Sequence, residues 1–314
     1  MKIIALDIGG TAVKSGLVDN GVLKEHRETP TPAAEGGQAV VALAKKLIAA
    51  YLPEGADGIG ISTAGVVDSK SGSILFAEDC IRGYTGIQVK ALLEDAFSLP
   101  TAVENDLNAA AVGEAAFGAG KGCKSLLCVG FGTSVGGAAV LDGRLYTGSH
   151  FGAGEFGHIP FFDNEIICSC GKKGCLETEV SGIAIEDKMC HLIEKGVNTI
   201  LKEKYDQQKS IHIDDIIAAA KNDDNLSIEL IEEAGEKVGK AVAFLINTFN
   251  PETVIVGGNM AAAGDYIMLP LKSAINKYSL NLVYKDTKFR VSKMTENANA
   301  WGVAMLIRNK IIGI

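Results

Sequence analysis

Three groups of residues in this 314-residue chain have the types and spacing to do chemistry. The first is Asp106, in the run Glu104-Asn105-Asp106, which stands where a short apolar strand, 101–103, gives way to a helix of small residues, 107–117. Ligands of αβ proteins gather outside the carboxyl ends of strands. A carboxylate there can take the proton of a substrate hydroxyl, as an acidic base does in phosphoryl transfer, or it can simply cap the helix. The second is Asp7, which closes the first apolar run and precedes Gly9-Gly10-Thr11. It either orients Mg²⁺ through water or caps a turn, and the glycines beside it favour the metal role. The third runs from Gly152 to Glu177 and includes Glu155, His158, Cys168, Cys170 and Cys175. One imidazole and three thiolates make a closed tetrahedral zinc site of the structural kind; the alternative is a loop of reduced cysteines.

These groups must be held by something, and the chain supplies it twice. Residues 10–23 align without gaps on residues 132–145. Each copy follows an apolar run and reads as strand, Gly-Thr turn, strand, Asn-Gly or Asp-Gly hairpin, strand. In both turns the glycines let backbone N–H groups approach an anion, and Thr11 or Thr133 adds a hydroxyl donor, which suits phosphate. Paired turns of this kind, Gly9-Gly10-Thr11 and Gly130 to Thr133, predict two related lobes holding a nucleotide in one cleft. Around them the elements alternate, with helices expected at 36–52, 86–97, 183–195, 213–221, 227–249, 266–278 and 298–309, and strands at 58–61 and 253–256. Gly118, Gly120 and Gly122 mark the expected lobe boundary. This gives a smaller αβ lobe, 1–118, and a larger one, 119–297, with a zinc-binding insertion; the C-terminal helix, 298–314, is expected to fold back on the first lobe.

Composition narrows the function classes. Hydrophobic residues make up 47% and charged residues 22%, the balance of an ordinary α/β chain able to bury one large or two medium cores. A net charge of −8 argues against a protein that mainly grips nucleic acid or anionic lipid. The N-terminal apolar run stops at Asp7, too short for a signal peptide core, and no later run reaches membrane-spanning length, so a cytoplasmic protein is expected. Cys80, Cys123, Cys128 and Cys190 are scattered and read as small core residues.

Taken in order, Asp7-Ile8-Gly9-Gly10-Thr11, Glu104-Asn105-Asp106, Gly132-Thr133, Gly154-Glu155-Phe156-Gly157-His158 and Cys168-x-Cys170-Gly171-x-x-Gly174-Cys175-Leu176-Glu177 resemble the ROK family of sugar kinases and sugar-responsive repressors. The resemblance spans nearly the whole chain. It implies the two-lobed, actin-like ATPase (ribonuclease H-like) fold, commonly in a homodimer, in which ATP and a sugar meet. It also implies that Asp106 activates the C6 hydroxyl of the sugar. Asn105, Glu155, His158 and Glu177 then bond the ring hydroxyls, and Gly65 offers a backbone contact. Asp7, Gly9, Gly10, Thr11, Gly132 and Thr133 handle Mg²⁺ and phosphates, while Gly257-Gly258 passes close to the adenosine or forms a plain strand-to-helix turn. His158 binds zinc through one ring nitrogen and faces the sugar with the other.

Some positions depart from the family pattern. Ser134 stands where a third small glycine is usual, Ala64 replaces a frequent proline before Gly65, and Cys80-Ile81-Arg82-Gly83-Tyr84 lacks the usual Asn and Trp. Tyr84 can still stack on a sugar face. Two functions follow from the resemblance: an ATP-dependent, glucokinase-like hexose kinase, or a non-catalytic sugar sensor akin to the family's repressors. A repressor should carry a basic helix-turn-helix module before the phosphate strand, which here begins at Lys2; that and the retained Asp106 favour the kinase.

Overall fold

The computed structural model describes residues 1–77, 81–292 and 298–312; Cys80 lies outside them. The first part of the chain forms β1 (Lys2–Ile8), β2 (Ala12–Asp19), β3 (Val22–Pro30), α1 (Gly37–Tyr51), β4 (Gly58–Thr63), the small hairpin β5 (Val66–Asp68) and β6 (Ser73–Phe76), α2 (Val89–Phe97), β7 (Thr101–Asn105) and α3 (Asp106–Ala116). Then come β8 (Leu126–Phe131), β9 (Val135–Leu141), β10 (Arg144–Tyr146), α4 (Glu177–Val180), α5 (Gly182–Glu194), α6 (Lys202–Gln208), α7 (Ile213–Ala220) and α8 (Asn225–Phe249). The chain ends with β11 (Thr253–Gly257), α9 (Asp265–Tyr278), α10 (Asn281–Tyr284), β12 (Lys288–Val291) and α11 (Ala298–Ile312).

The duplication read in the sequence is a duplication of topology. One sheet runs β3-β2-β1-β4-β7 and the other β10-β9-β8-β11-β12. In both, the hairpin strands pair antiparallel and the later strands add in parallel. This is the layout of the actin-like ATPase fold. Both hairpins turn on two residues with positive φ, Asn20 (47°) with Gly21 (82°) and Asp142 (51°) with Gly143 (76°). That pair of values is the type I′ turn, whose twist matches the twist of the strands it joins and which favours Asn-Gly and Asp-Gly.

The chain falls into two compact units. The first holds Met1–Ser125, Ala138–Ala153 and α11; the second holds Leu126–Gly137 and the chain from Gly154 through β12. In the first unit β1, antiparallel to β2 and parallel to β4, is apolar on both faces, as a central strand covered on both sides must be. Ile4, Leu6 and Ile8 pack with Val40, Val41, Ala44 and Ile48 of α1. Ile3 and Ala5 point the other way, onto Ala109 of α3 and Val303 and Ile307 of α11. Alternation puts Asp7 on this second face, the one covered by α3 and α11. In the second unit α8 buries Leu226, Leu230, Ile231, Ala234, Val238, Val242 and Ile246 at helical spacing. The Asp224 carboxylate caps it by accepting from the Ser227 N–H, and Asn250 ends it in the left-handed conformation.

The crossing of α3 and α11 is unusually close. A Cβ on Gly302 would lie 1.7 Å from the Ala109 carbonyl oxygen. In an open helix, Gly→Ala gains about 1 kcal/mol of helix propensity. Here the overlap is with backbone that cannot step aside, so sterics decide the sign. Gly302→Ala should destabilise the protein by about 3 kcal/mol, the upper part of the range for overpacking, read as a lower urea midpoint. A midpoint equal to or above that of the parent would show that the helices part easily.

Candidate active site

Three parallel strands of the first unit end side by side, and their register decides which residues meet. Asp7 of β1 stands level with Ser62 of β4, and Ser62 with Glu104 of β7; one step on, Ile8, Thr63 and Asn105 form the next row. Ser62 donates its hydroxyl to Asp7 Oδ1 at 2.7 Å. Burial raises the Asp7 carboxyl above its ordinary value, while hydrogen bonds from Ser62 and Asn299 and the charge of Lys14 work against the rise. Lys14 is the β2 residue directly opposite Asp7. A desolvated carboxylate with one lysine nearby is suited to a further cation. The turn that follows is set by its own bonds, Gly9 N–H to the Ala12 carbonyl at 3.0 Å and the Thr31 hydroxyl to the Gly9 carbonyl at 2.7 Å. It leaves Gly10 and Thr11 exposed.

Asp106 opens α3, and the cap of that helix is Asn105, whose side-chain oxygen accepts from the Asn108 N–H at 3.1 Å. Asn105 Nδ2 donates to the Gly65 carbonyl at 3.0 Å and to Asp106 Oδ1 at 2.9 Å. The Leu107 N–H donates to the same oxygen at 2.8 Å. Asp7, Gly65, Asn105 and Asp106 thus lie in one unit, at the ends of adjoining strands, and Asn105 links the two neighbours on either side of it. Beneath them lies Glu104, 3% exposed, whose Oε1 accepts from the Asn105 N–H at 2.9 Å and from Asn108 Nδ2 at 3.0 Å.

Burial raises the Glu104 carboxyl, against the pull of its hydrogen bonds from Asn108, Asn105 and Ser69. A carboxyl whose folded value exceeds its unfolded one stabilises the fold in its protonated form. That contribution is complete below the unfolded value and lost as pH rises through the folded one. Glu104→Gln keeps an oxygen for both donors and removes the buried charge. We expect its thermal midpoint to exceed that of the parent near neutral pH, with the gain vanishing by about pH 4, near the ordinary value of a glutamate. A deficit near neutral pH that disappears by about pH 4 would mean instead that the charge itself is needed.

In the second unit the parallel neighbours β8 and β11 end together, with Gly130 level with Gly257. This sets the Gly132-Thr133 turn beside Gly258. Gly258 has φ of 91°, and a Cβ there would fall 2.2 Å from the Phe131 carbonyl oxygen. The Gly132 N–H donates to the Ser134 carbonyl at 3.1 Å. Thr133, Ser134 and Gly258 are exposed.

Glu155, His158 and Glu177 share this unit. His158 Nε2 lies 3.9 Å from Glu155 Oε2. Desolvation by surrounding protein raises the Glu155 carboxyl; His158 lowers it and Glu177 raises it further. Half of the Glu155 side chain reaches solvent, which screens these effects. The other ring nitrogen of His158, Nδ1, is 3.5 Å from Cys168 Sγ, and Cys170 Sγ is 3.6 Å from Cys175 Sγ. All four candidate ligand atoms fall within 4.8 Å of one another. Tetrahedral zinc with Zn–S near 2.3 Å places its ligand atoms about 3.5–3.8 Å apart, so the donor set and its spacing fit that ion. Burial, with hydrogen bonds among the sulfurs, pushes the Cys175 thiol up to about 12. For Cys170, burial is outweighed by hydrogen bonds from the Lys172 backbone and the neighbouring cysteines, and its thiol falls.

Tyr84 corrects an expectation. It is fully buried in the core of the first unit with its hydroxyl 3.4 Å from Thr63 Oγ1, so it presents no face for stacking on a sugar. Burial pushes its phenol up to about 12. Cys128 is buried, as expected of a core residue, whereas Cys123 and Cys190 are partly exposed. Ser62, Lys14, Glu104 and Asn108 were absent from the expected site. Each enters through strand register or a hydrogen bond, and only Glu104, inside the Glu104-Asn105-Asp106 run, was visible beforehand.

A sequence profile described as the ROK family matches residues 3–310. A glucokinase of Halalkalibacterium halodurans is 31% identical over 315 aligned positions, covering 98% of this chain and 95% of that protein. A xylose repressor of Caldicellulosiruptor bescii is 32% identical over 262 positions, covering 82% of this chain and 64% of the repressor. Among solved structures, a ROK family glucokinase from Streptomyces griseus in complex with glucose and AMPPNP superposes with a TM-score of 0.85 at 29% identity, covering 98% of this chain and 100% of that one.

Proposed function

The chain belongs to the ROK family, and from that premise we propose that it is an ATP-dependent, glucokinase-like hexose kinase, phosphorylating the C6 hydroxyl of an aldohexose or N-acetylhexosamine. The observation that carries this reading is the division of labour at the start of α3. Asn105 is the cap of the helix, so the acid at position 106, though its Oδ1 also accepts from the Leu107 N–H, is not the residue that the cap requires. In the proposed reaction Asp106 accepts the proton of the C6 hydroxyl as its oxygen attacks. Asn105 holds Asp106 and the Gly65 carbonyl in fixed relation, which orients the base before the sugar arrives. Glu155, His158 and Glu177 bond the ring hydroxyls, and Gly65 lends backbone.

Bound MgATP supplies the phosphoryl group. The Gly9-Gly10-Thr11 and Gly132-Thr133 turns receive phosphates, Asp7 holds the Mg²⁺ through water, and Gly257-Gly258 lets the adenosine approach. His158, Cys168, Cys170 and Cys175 hold a structural zinc that fixes the His158 ring. We place the enzyme in the cytoplasm, as a homodimer. Among the described residues no helix is long and apolar enough to cross a membrane.

A coupled ADP-release assay over glucose, N-acetylglucosamine, N-acetylmannosamine, mannose, allose and fructose tests this function. Sugar-dependent ADP release from at least one is the expected result. Silence across the panel, together with thermal stabilisation by a sugar, would instead establish the sensor reading, to which the repressor relative belongs.

A further inference from the structure

The turn between β8 and β9 is gripped from outside by the segment that follows the cysteine cluster. The Gly182 N–H, at the start of α5, donates to the Gly132 carbonyl at 2.7 Å. Glu177 Oε2, at the start of α4, accepts from the Val135 N–H at 3.1 Å. These two bonds hold the peptide planes on either side of Thr133-Ser134.

Because a trans peptide is planar, fixing one of its polar groups aims the other in the opposite direction. The Gly132 carbonyl is drawn toward α5, so the Thr133 N–H points away from it. The Val135 N–H is drawn toward Glu177, so the Ser134 carbonyl points back, where it accepts from the Gly132 N–H. With the Gly132 and Ser134 carbonyls engaged, the turn shows the Thr133 and Ser134 residues to solvent. An anion-binding turn needs that arrangement, since a carbonyl facing the phosphate would repel it.

We propose that Glu177 and Gly182 are positioning residues for the phosphate-binding turn, so that Glu177, a sugar ligand in the function proposed above, also sets the affinity for the nucleotide. This rests on the kinase reading. Neither bond is local in sequence, since Glu177 lies 42 residues from Val135. The same stretch of chain is tied to the cysteine cluster, through the Leu176 N–H to the Ile159 carbonyl at 3.0 Å and the Thr178 hydroxyl to the Cys175 carbonyl at 2.7 Å.

The test is the affinity for MgADP, measured by calorimetry without sugar. Glu177→Ala removes the acceptor and should raise the MgADP Kd about tenfold, the cost of one hydrogen bond to a charged group. Glu177→Gln retains an oxygen for the Val135 N–H and should stay within about twofold of the parent for MgADP, while binding sugar more weakly because a carboxylate acceptor is gone. Gly182→Pro is the independent variant. Proline is tolerated at the first position of a helix, and Ser181 already has the extended backbone that precedes proline. This change deletes the donor to Gly132, sets the proline ring against the Gly132 carbonyl and touches no proposed sugar ligand, so MgADP affinity alone should fall, by about tenfold or more.

MgADP affinity unchanged in both Glu177→Ala and Gly182→Pro, or lost equally in Glu177→Gln and Glu177→Ala, would overturn the proposal while leaving the kinase reading in place. Failure of the parent protein to bind MgADP would overturn both.

Discussion

Asp106→Asn should slow sugar-dependent ADP release by about 10²-fold to 10⁴-fold, the usual contribution of a positioned acid or base. Sugar affinity, measured separately by calorimetry, should change little. The reason lies in the local geometry. The helix cap belongs to Asn105, and the Leu107 N–H can still donate to the remaining oxygen of an asparagine at 106. The substitution therefore keeps the shape of the strand end and withdraws the basicity. A kcat within a few fold of the parent would remove Asp106 from the chemistry, whatever the sugar affinity does.

Removal of the metal is expected to have the next largest effect. Purified protein should carry about one equivalent of zinc, and Cys175→Ser should abolish its retention by taking away a fully buried ligand. Without the cation, the sulfur cluster must take up protons, since neighbouring thiolates repel one another. The His158 ring then loses the bond that orients it toward Glu155. Sugar affinity should fall about 10-fold to 100-fold, the range seen when the support of a binding group is removed. Elemental analysis and sugar titration report the two parts separately. Zinc at a small fraction of an equivalent in the parent would reduce the cysteines to a loop, and an unaltered sugar Kd in metal-free protein would detach the cluster from recognition.

The parts of the fold that could be read in advance were those written locally. Asn20-Gly21 and Asp142-Gly143 announced both hairpins because type I′ turns demand those residue types, and α1, α5, α8 and α9 carried unmistakable apolar spacing. The hairpin of β5 and β6 escaped notice because strands of three and four residues carry too few side chains to show alternation. So did β12, Lys-Phe-Arg-Val, whose strand character comes from pairing with β11 rather than from its own composition.

The candidate site divides in the same way. Asp7, Asn105 and Asp106 were legible as acids and amides at strand ends, and the cysteines by their crowding. The Ser62 bond to Asp7 and the Glu177 bond to Val135 join residues 55 and 42 positions apart, so each depends on a register or a packing that no short window of sequence contains.

The close passage of α11 over α3 also bears on how the molecule is made. Ala109 and the inward face of β1 are sealed by a helix that begins 182 residues after α3 ends, from Ala116 to Ala298. At roughly 5–20 residues per second on the ribosome, that interval lasts about 10–40 seconds. Through that time the five-stranded sheet bearing Asp7 has α3 but lacks α11 on that face, while the segment containing α8 and α9 has already emerged. Birth order and completion order therefore differ: one face of β1, made before α3 and α11, is among the last surfaces to be enclosed.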